Sequence, residues 1–277
     1  MRYSKDMGQV MRQTLVFVVE KVRGGTASVA PESYMGFEVL KLNIRFNQSK
    51  ETRNVWEKSW RTWQYVGERY LHEYDWFLKM DDDTFFSPVN FKGYARYLNP
   101  YQPYYLGNTL MHLWQYVNIV FNAGGCYALS KRALQLLTPV FSSHDFIGNK
   151  DRLRWSDQCH CICAHRPGAN EDPMIGICLH RFGIEPLNTL SHDLRERFSP
   201  FKKETMDRLV RTLNRTNWWY FKMKPSNLSL GSKSMVEHAI SYHFYKKAPL
   251  HPFELLHKQF NRPESRRRYG TRTLMVL

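Results

Sequence analysis

The sequence predicts an α/β fold, and two observations carry that prediction. Short apolar runs of strand length alternate with segments whose apolar residues recur three and four apart, and one such run ends in three consecutive carboxylates. Open α/β sheets bind their ligands at the carboxyl ends of strands, so the acids sit where such a fold would use them. At 277 residues, with 43% hydrophobic and 15% aromatic content, the chain can bury a substantial core, which argues against disorder.

Taken in order, residues 15–19 read as a buried strand, followed by a Gly24-Gly25 turn and a second strand at 38–42. Across 49–74 the apolar positions Val55, Trp56, Trp60, Trp63, Val66, Tyr70 and Leu71 fall on one helical face. A strand at 75–80 then runs into Asp81-Asp82-Asp83. A helix over 89–98 ends at Asn99-Pro100, and 103–107 is a short strand. The apolar stretch 112–121 leads into Gly124-Gly125, paired glycines that permit a close backbone approach or an unusual turn. Ser130 caps a helix through Leu137 that stops near Pro139. After a polar, cysteine-bearing loop over 142–168, Glu171-Asp172-Pro173 opens a helix over 174–182. Beyond Pro186 the chain is loop-rich, with aromatic residues at Trp218-Trp219-Tyr220 and a short strand over 240–245 that contains His243; one or two helical turns over 253–259 close the folded part.

The formal net charge of +15 allows a polyanionic partner, but the basic residues are spread along the chain and the one dense cluster is Arg266-Arg267-Arg268. A nucleic-acid-binding reading therefore lacks a basic helix or recognition motif. No run reaches the roughly 18–20 apolar residues of a membrane span. Four of the five cysteines, Cys159, Cys161, Cys163 and Cys178, crowd into one region at spacings unsuited to zinc, so disulfides in an oxidising compartment are expected, with Cys126 a buried thiol. Sequons at Asn47, Asn214 and Asn227 agree with that compartment.

Three adjacent carboxylates at a strand end repel one another unless a cation sits among them, and a hard divalent ion beside a substrate diphosphate answers that need. A solvated turn is the competing reading of the triplet. Glu171-Asp172 reads equally as acids favouring a helix N-terminus and as a general base. His243 by default is a half-buried strand histidine, and the Trp218-Trp219-Tyr220 cluster is either core or a sugar-stacking face.

Together these residues resemble a family. Trp76-Phe77-Leu78-Lys79 before Asp81-Asp82-Asp83-Thr84, Gly124-Gly125 leading to Leu129-Ser130-Lys131, Glu171-Asp172 with Gly176 four residues after the Asp, and His243-Phe244-Tyr245 are similar to the fringe-type β1,3-glycosyltransferases, in particular to the branch that builds core 1 O-glycans. The resemblance covers about residues 37–258. It implies a GT-A fold, Mn²⁺ as cofactor, and inverting transfer of galactose from UDP-galactose to the 3-hydroxyl of Ser/Thr-linked N-acetylgalactosamine on a glycoprotein. Asp81, Asp83 and His243 become the metal ligands. Asp81, Asp82 and Lys79 face the donor. Asp172 becomes the base, and Glu171, Gly124, Gly125, Trp218, Trp219 and Tyr220 border the substrates. A Golgi-lumenal setting follows, with membrane attachment only through an anchor absent from this chain; a homodimer stays open.

Two departures accompany it. Residues 1–36 match poorly, so the opening βα unit is expected to be absent or replaced, and residues 259–277 are expected to be a basic, disordered tail. A cysteine expected just before the histidine strand is missing, which leaves Cys178 to pair with Cys159, Cys161 or Cys163. A catalytically weak relative serving as a chaperone or glycan-binding module is the alternative function, but it has no need of the acids and His243.

Overall fold

The computed structural model describes residues 13–21, 33–34, 37–43, 55–114, 117–143, 170–202, 204–206, 208, 219–224, 236–243 and 273–276. They form a mixed α/β architecture. Strands β1 (Gln13–Lys21), β2 (Ser33–Tyr34) and β3 (Phe37–Asn43) precede helix α1 (Val55–Tyr70). β4 (Trp76–Met80), β5 (Phe85–Phe86), α2 (Pro88–Ala95), β6 (Tyr105–Trp114), β7 (Val117–Ser130) and α3 (Lys131–Ser143) follow. The chain continues through α4 (Glu171–His180), β8 (Phe198–Ser199), α5 (Trp219–Lys222), β9 (Ser241–Tyr242) and β10 (Thr273–Val276). The main sheet has the order β2-β3-β1-β10-β4-β7-β6, and a small sheet has the order β5-β9-β8. β3, β1, β10 and β4 run parallel; β7 pairs antiparallel with β4 and β6 antiparallel with β7 at one edge, and β2 pairs antiparallel with β3 at the other.

Alternation along β4 explains why the core lies on both faces. Trp76, Leu78 and Met80 pack with Phe86, Phe91 and Ile240 on one side. Phe77 joins the larger cluster with α1, α3 and α4 on the other, and Lys79 shares its face by the two-residue period. On α1 the residues Trp56, Trp60, Trp63 and Val66 are fully or almost fully buried, and Trp60 meets Phe141 of α3 edge to face with centroids 4.6 Å apart.

Three elements differ from the sequence expectation. β10 lies inside the stretch expected to be a disordered tail, and it fills the slot between β1 and β4 with Leu274, Met275 and Val276 at 0%, 1% and 2% exposure. The basic cluster before it masks a short apolar run that is buried because it has strand partners on both sides. α3 continues past Pro139, since that residue faces solvent while Val140 and Phe141 anchor the last turn in the core. β6 is longer than residues 103–107, and the paired glycines lie within its partner β7 rather than in a turn. Pairing runs from Gly107 opposite Tyr127 to Thr109 opposite Asn122, so Asn108 alone faces residues 123–126. The surplus residues bulge out of the ladder, as close backbone approach near a site often requires. The helical turns expected over 253–259, the three sequons and Cys159, Cys161 and Cys163 lie outside the described residues. Among the described residues no helix is long and apolar enough to cross a membrane.

Candidate active site

The bulge in β7 organises the site. Its Gly125 carbonyl accepts from the Asp81 backbone N–H at 3.1 Å and from the Thr84 hydroxyl at 2.7 Å, clamping both ends of the acidic turn. Directly after that turn β5 pairs antiparallel with β9, Phe85 opposite Tyr242, and this pairing delivers His243 to the acids from some 160 residues downstream in sequence. His243 Nε2 lies 3.2 Å from Asp81 Oδ2 and 3.1 Å from Asp83 Oδ1. One ligand atom from each of the three lies within 4.8 Å of the others. Gly125 is required for this meeting, because a Cβ there would stand 2.5 Å from the His243 ring. Two carboxylates and an imidazole, with Asp81 36% exposed, make an oxygen-rich mixed set of the kind that could hold a divalent cation and leave room for further oxygen ligands. Asp82, between the two ligand candidates, is exposed.

Lys79 joins this cluster to the start of α4. Its Nζ donates to Asp81 Oδ1 at 2.6 Å and to the Gly124 carbonyl at 2.8 Å, and it pairs with Glu171 Oε2 at 2.8 Å. Burial favours the neutral amine, but the charges of Glu171 and Asp81 outweigh it and raise the Lys79 pKa well above its ordinary value. Burial likewise pushes Asp81 up, yet the Lys79 charge and the hydrogen bonds from His243 and Lys79 hold it well below the usual carboxylate range. Glu171 is 3% exposed, and its Oε1 accepts from the Tyr127 hydroxyl at 2.7 Å, which itself accepts from Trp63 Nε1 at 2.9 Å.

Asp172 is the neighbouring carboxylate. A Cβ placed on Gly124 would meet its Cβ at 3.6 Å and Lys79 Nζ at 3.7 Å, so the glycine lies between the helix start and the lysine. Burial and then the charge of Glu171 raise the Asp172 carboxyl to about 6, against hydrogen bonds from its own and the Gly124 backbone N–H and the charge of Lys79. That carboxyl is ionised at neutral pH and remains basic enough to take a proton.

The structure thus brings together Lys79, Asp81, Asp83, Gly124, Gly125, Glu171, Asp172 and His243. Trp218 lies outside the described residues. Trp219 begins α5, whereas the Tyr220 ring is fully buried and its hydroxyl donates to Glu196 Oε1 at 2.7 Å, which leaves it no open face for a sugar. Sequence reasoning missed Tyr127 and Thr84. Tyr127 is the cross-strand partner of Lys79, a relation visible only once the β4–β7 register is known. Cys126 beside it is a free, buried thiol, its pKa pushed up to about 12 by burial. Cys178 lies fully buried in α4.

A mixed α/β chain with this arrangement is compatible with a glycosyltransferase fold. No family model matches the chain. Over 198 residues, 71% of this chain, it is 25% identical to glycoprotein-N-acetylgalactosamine 3-beta-galactosyltransferase 1 of Xenopus laevis. That match takes in 49% of the relative, so the chain spans about half the length of the galactosyltransferase it resembles. A stretch of 53 residues, 19% of this chain, is 36% identical to chondroitin sulfate synthase 3 of Homo sapiens and of Mus musculus, and it covers 6% of each. The chain is a distant relative of a galactosyltransferase.

Proposed function

We propose that the chain is an inverting, Mn²⁺-dependent β1,3-galactosyltransferase of the GT-A fold, acting on UDP-galactose and on N-acetylgalactosamine linked to Ser or Thr of a glycoprotein. The observation that supports this best is the meeting of Asp81, Asp83 and His243 within 4.8 Å. Asp172 lies just across Gly124 from the lysine that holds Asp81.

An inverting transfer needs a base on the acceptor hydroxyl, charge neutralisation at the leaving diphosphate and in-line geometry between them. Asp81, Asp83 and His243 would hold the ion, and neutralising the leaving diphosphate is what a divalent cation supplies there. Asp172 takes the proton of the acceptor 3-hydroxyl. Lys79 fixes Asp81 and Glu171 relative to each other, so its charge reaches the donor end through Asp81 rather than by a free ammonium. Asp82, exposed at the same turn, faces the ribose side of the donor. Gly124 and Gly125 leave space beside the reacting groups, and Trp218 and Trp219 border the acceptor, with Tyr220 supporting that side from the core. Residues 37–258 carry the transferase unit, its main sheet completed by β1, β2 and β10 from outside that range, and the setting that suits it is the Golgi lumen.

Calorimetry of UDP binding with and without Mn²⁺ tests the metal half of this reading. Binding is expected to require Mn²⁺. Asp83→Ala and His243→Ala should each weaken it beyond the roughly 10- to 100-fold that loss of a group hydrogen-bonded to a metal ligand costs. UDP binding indifferent to Mn²⁺, or unchanged in Asp83→Ala, overturns it.

A further inference from the structure

Beside β6 and β7 lies a cavity of about 290 Å³, lined by Thr109, Val120, Thr189, Leu190, Glu196 and Lys224 among others. No member of the acid–histidine cluster borders it. Its two charged side chains are deeply placed, Glu196 at 1% and Lys224 at 5% exposure, with Nζ 2.6 Å from Oε1. The Tyr220 hydroxyl donates to that same Oε1. Both of these bonds fall on Oε1, so Oε2 of Glu196 is the oxygen of this cavity-lining carboxylate that can accept from a ligand. Lys224 also donates to the Thr109 carbonyl at 2.9 Å and stands 5.2 Å from the Tyr220 ring centroid, so its third N–H has no oxygen acceptor among the described residues. The hydroxyls of Thr109 and Thr189 donate to Asn122 Oδ1 and to the Gly107 carbonyl, and both oxygens can still accept.

We propose that this cavity binds one neutral pyranose ring of a glycan. Its volume stands at the small end of the roughly 300–1,000 Å³ of ligand pockets, which suits a single ring. Spare donors and acceptors stand beside the apolar surface of Val120 and Leu190, matching the hydroxyl edge and C–H face of a sugar. The two charges cancel, so a charged ligand would compete with one member of a buried pair and leave the other uncompensated. Choosing a sugar among neutral polyols rests on the glycosyl-transfer reading. Val120 precedes Gly124 by four residues, on the order of 13 Å along an extended strand and less across the bulge. A glycan engaged at Asp172 can therefore reach the cavity.

The test uses the full chain without metal or nucleotide, titrated with methyl β-galactoside and methyl α-N-acetylgalactosaminide, and with glucuronate and glucosamine as charged controls, by saturation-transfer NMR. At least one neutral pyranoside should bind, with the charged sugars weaker by about tenfold, the equivalent of one lost hydrogen bond. Leu190→Trp, which fills the cavity from a half-buried position, should abolish binding with the melting temperature retained; Asp83→Ala should leave it unchanged. No binding of either neutral pyranoside, equal binding of the charged sugars, or binding that survives Leu190→Trp overturns the proposal. A chain that binds pyranosides here but shows no Mn²⁺-dependent UDP binding keeps the cavity assignment and loses the transfer reading.

Discussion

Asp172→Asn is expected to leave Mn²⁺-dependent UDP binding intact and to lower galactose transfer by about 10²- to 10⁴-fold, the range a positioned general base contributes. The amide keeps the size of the carboxylate and its packing against Gly124, but it cannot take the acceptor proton. The protein's pH dependence carries the same signature. With the Asp172 carboxyl at about 6, kcat/KM should climb with pH up to that value and level off above it. Stability moves the other way. A carboxyl raised from 3.8 to about 6 by burial binds its proton more tightly folded than unfolded. Its contribution is fully present below about pH 4 and is lost as pH rises through about 6. Urea titrations across that window should show this decline in the parent chain and not in Asp172→Asn. Normal turnover in the variant would give the base role to another group.

Lys79→Met should cost about 3–5 kcal/mol of stability, the scale for breaking a buried ion pair by removing one partner. The lysine meets three acceptors, and of these Glu171 has little recourse to solvent at 3% exposure. Asp81, at 36%, can turn to water. The double variant Lys79→Met/Glu171→Leu should therefore recover part of the loss, because it removes the buried Glu171 carboxylate together with its partner. Urea midpoints measured for the two single variants and the double check this. Additive losses would show that the lysine and the glutamate do not act as a pair.

Much of this site was legible before any fold was known, and the reason is local. The strand that ends in Asp81-Asp82-Asp83 announces itself by five apolar or long side chains before three acids, and the helix start at Glu171-Asp172 by its proline and its dipole-favouring charges. What stayed hidden depends on pairing between distant segments. His243 acquires its place because β9 pairs with β5 directly after the acids, and periodicity carries no trace of that register. Gly124-Gly125 was visible as a point of close approach, but that the glycines bulge out opposite Asn108 follows only from a ladder that loses register. β10 escaped notice because four apolar residues after an arginine cluster are too few to signal a central strand. Tyr220 shows the converse: its ring could be core or a sugar-stacking face in the sequence, and only the fold shows it fully buried with its hydroxyl bonded to a buried glutamate.

The most direct test of a metal-dependent transfer site at Asp81, Asp83, His243 and Asp172 is incubation of the chain with Mn²⁺, UDP-galactose and a peptide bearing α-linked N-acetylgalactosamine, with the product's linkage determined. A β1,3-linked disaccharide that disappears on chelation of the metal is the expected result. Absence of product, together with UDP binding that ignores Mn²⁺, would contradict it.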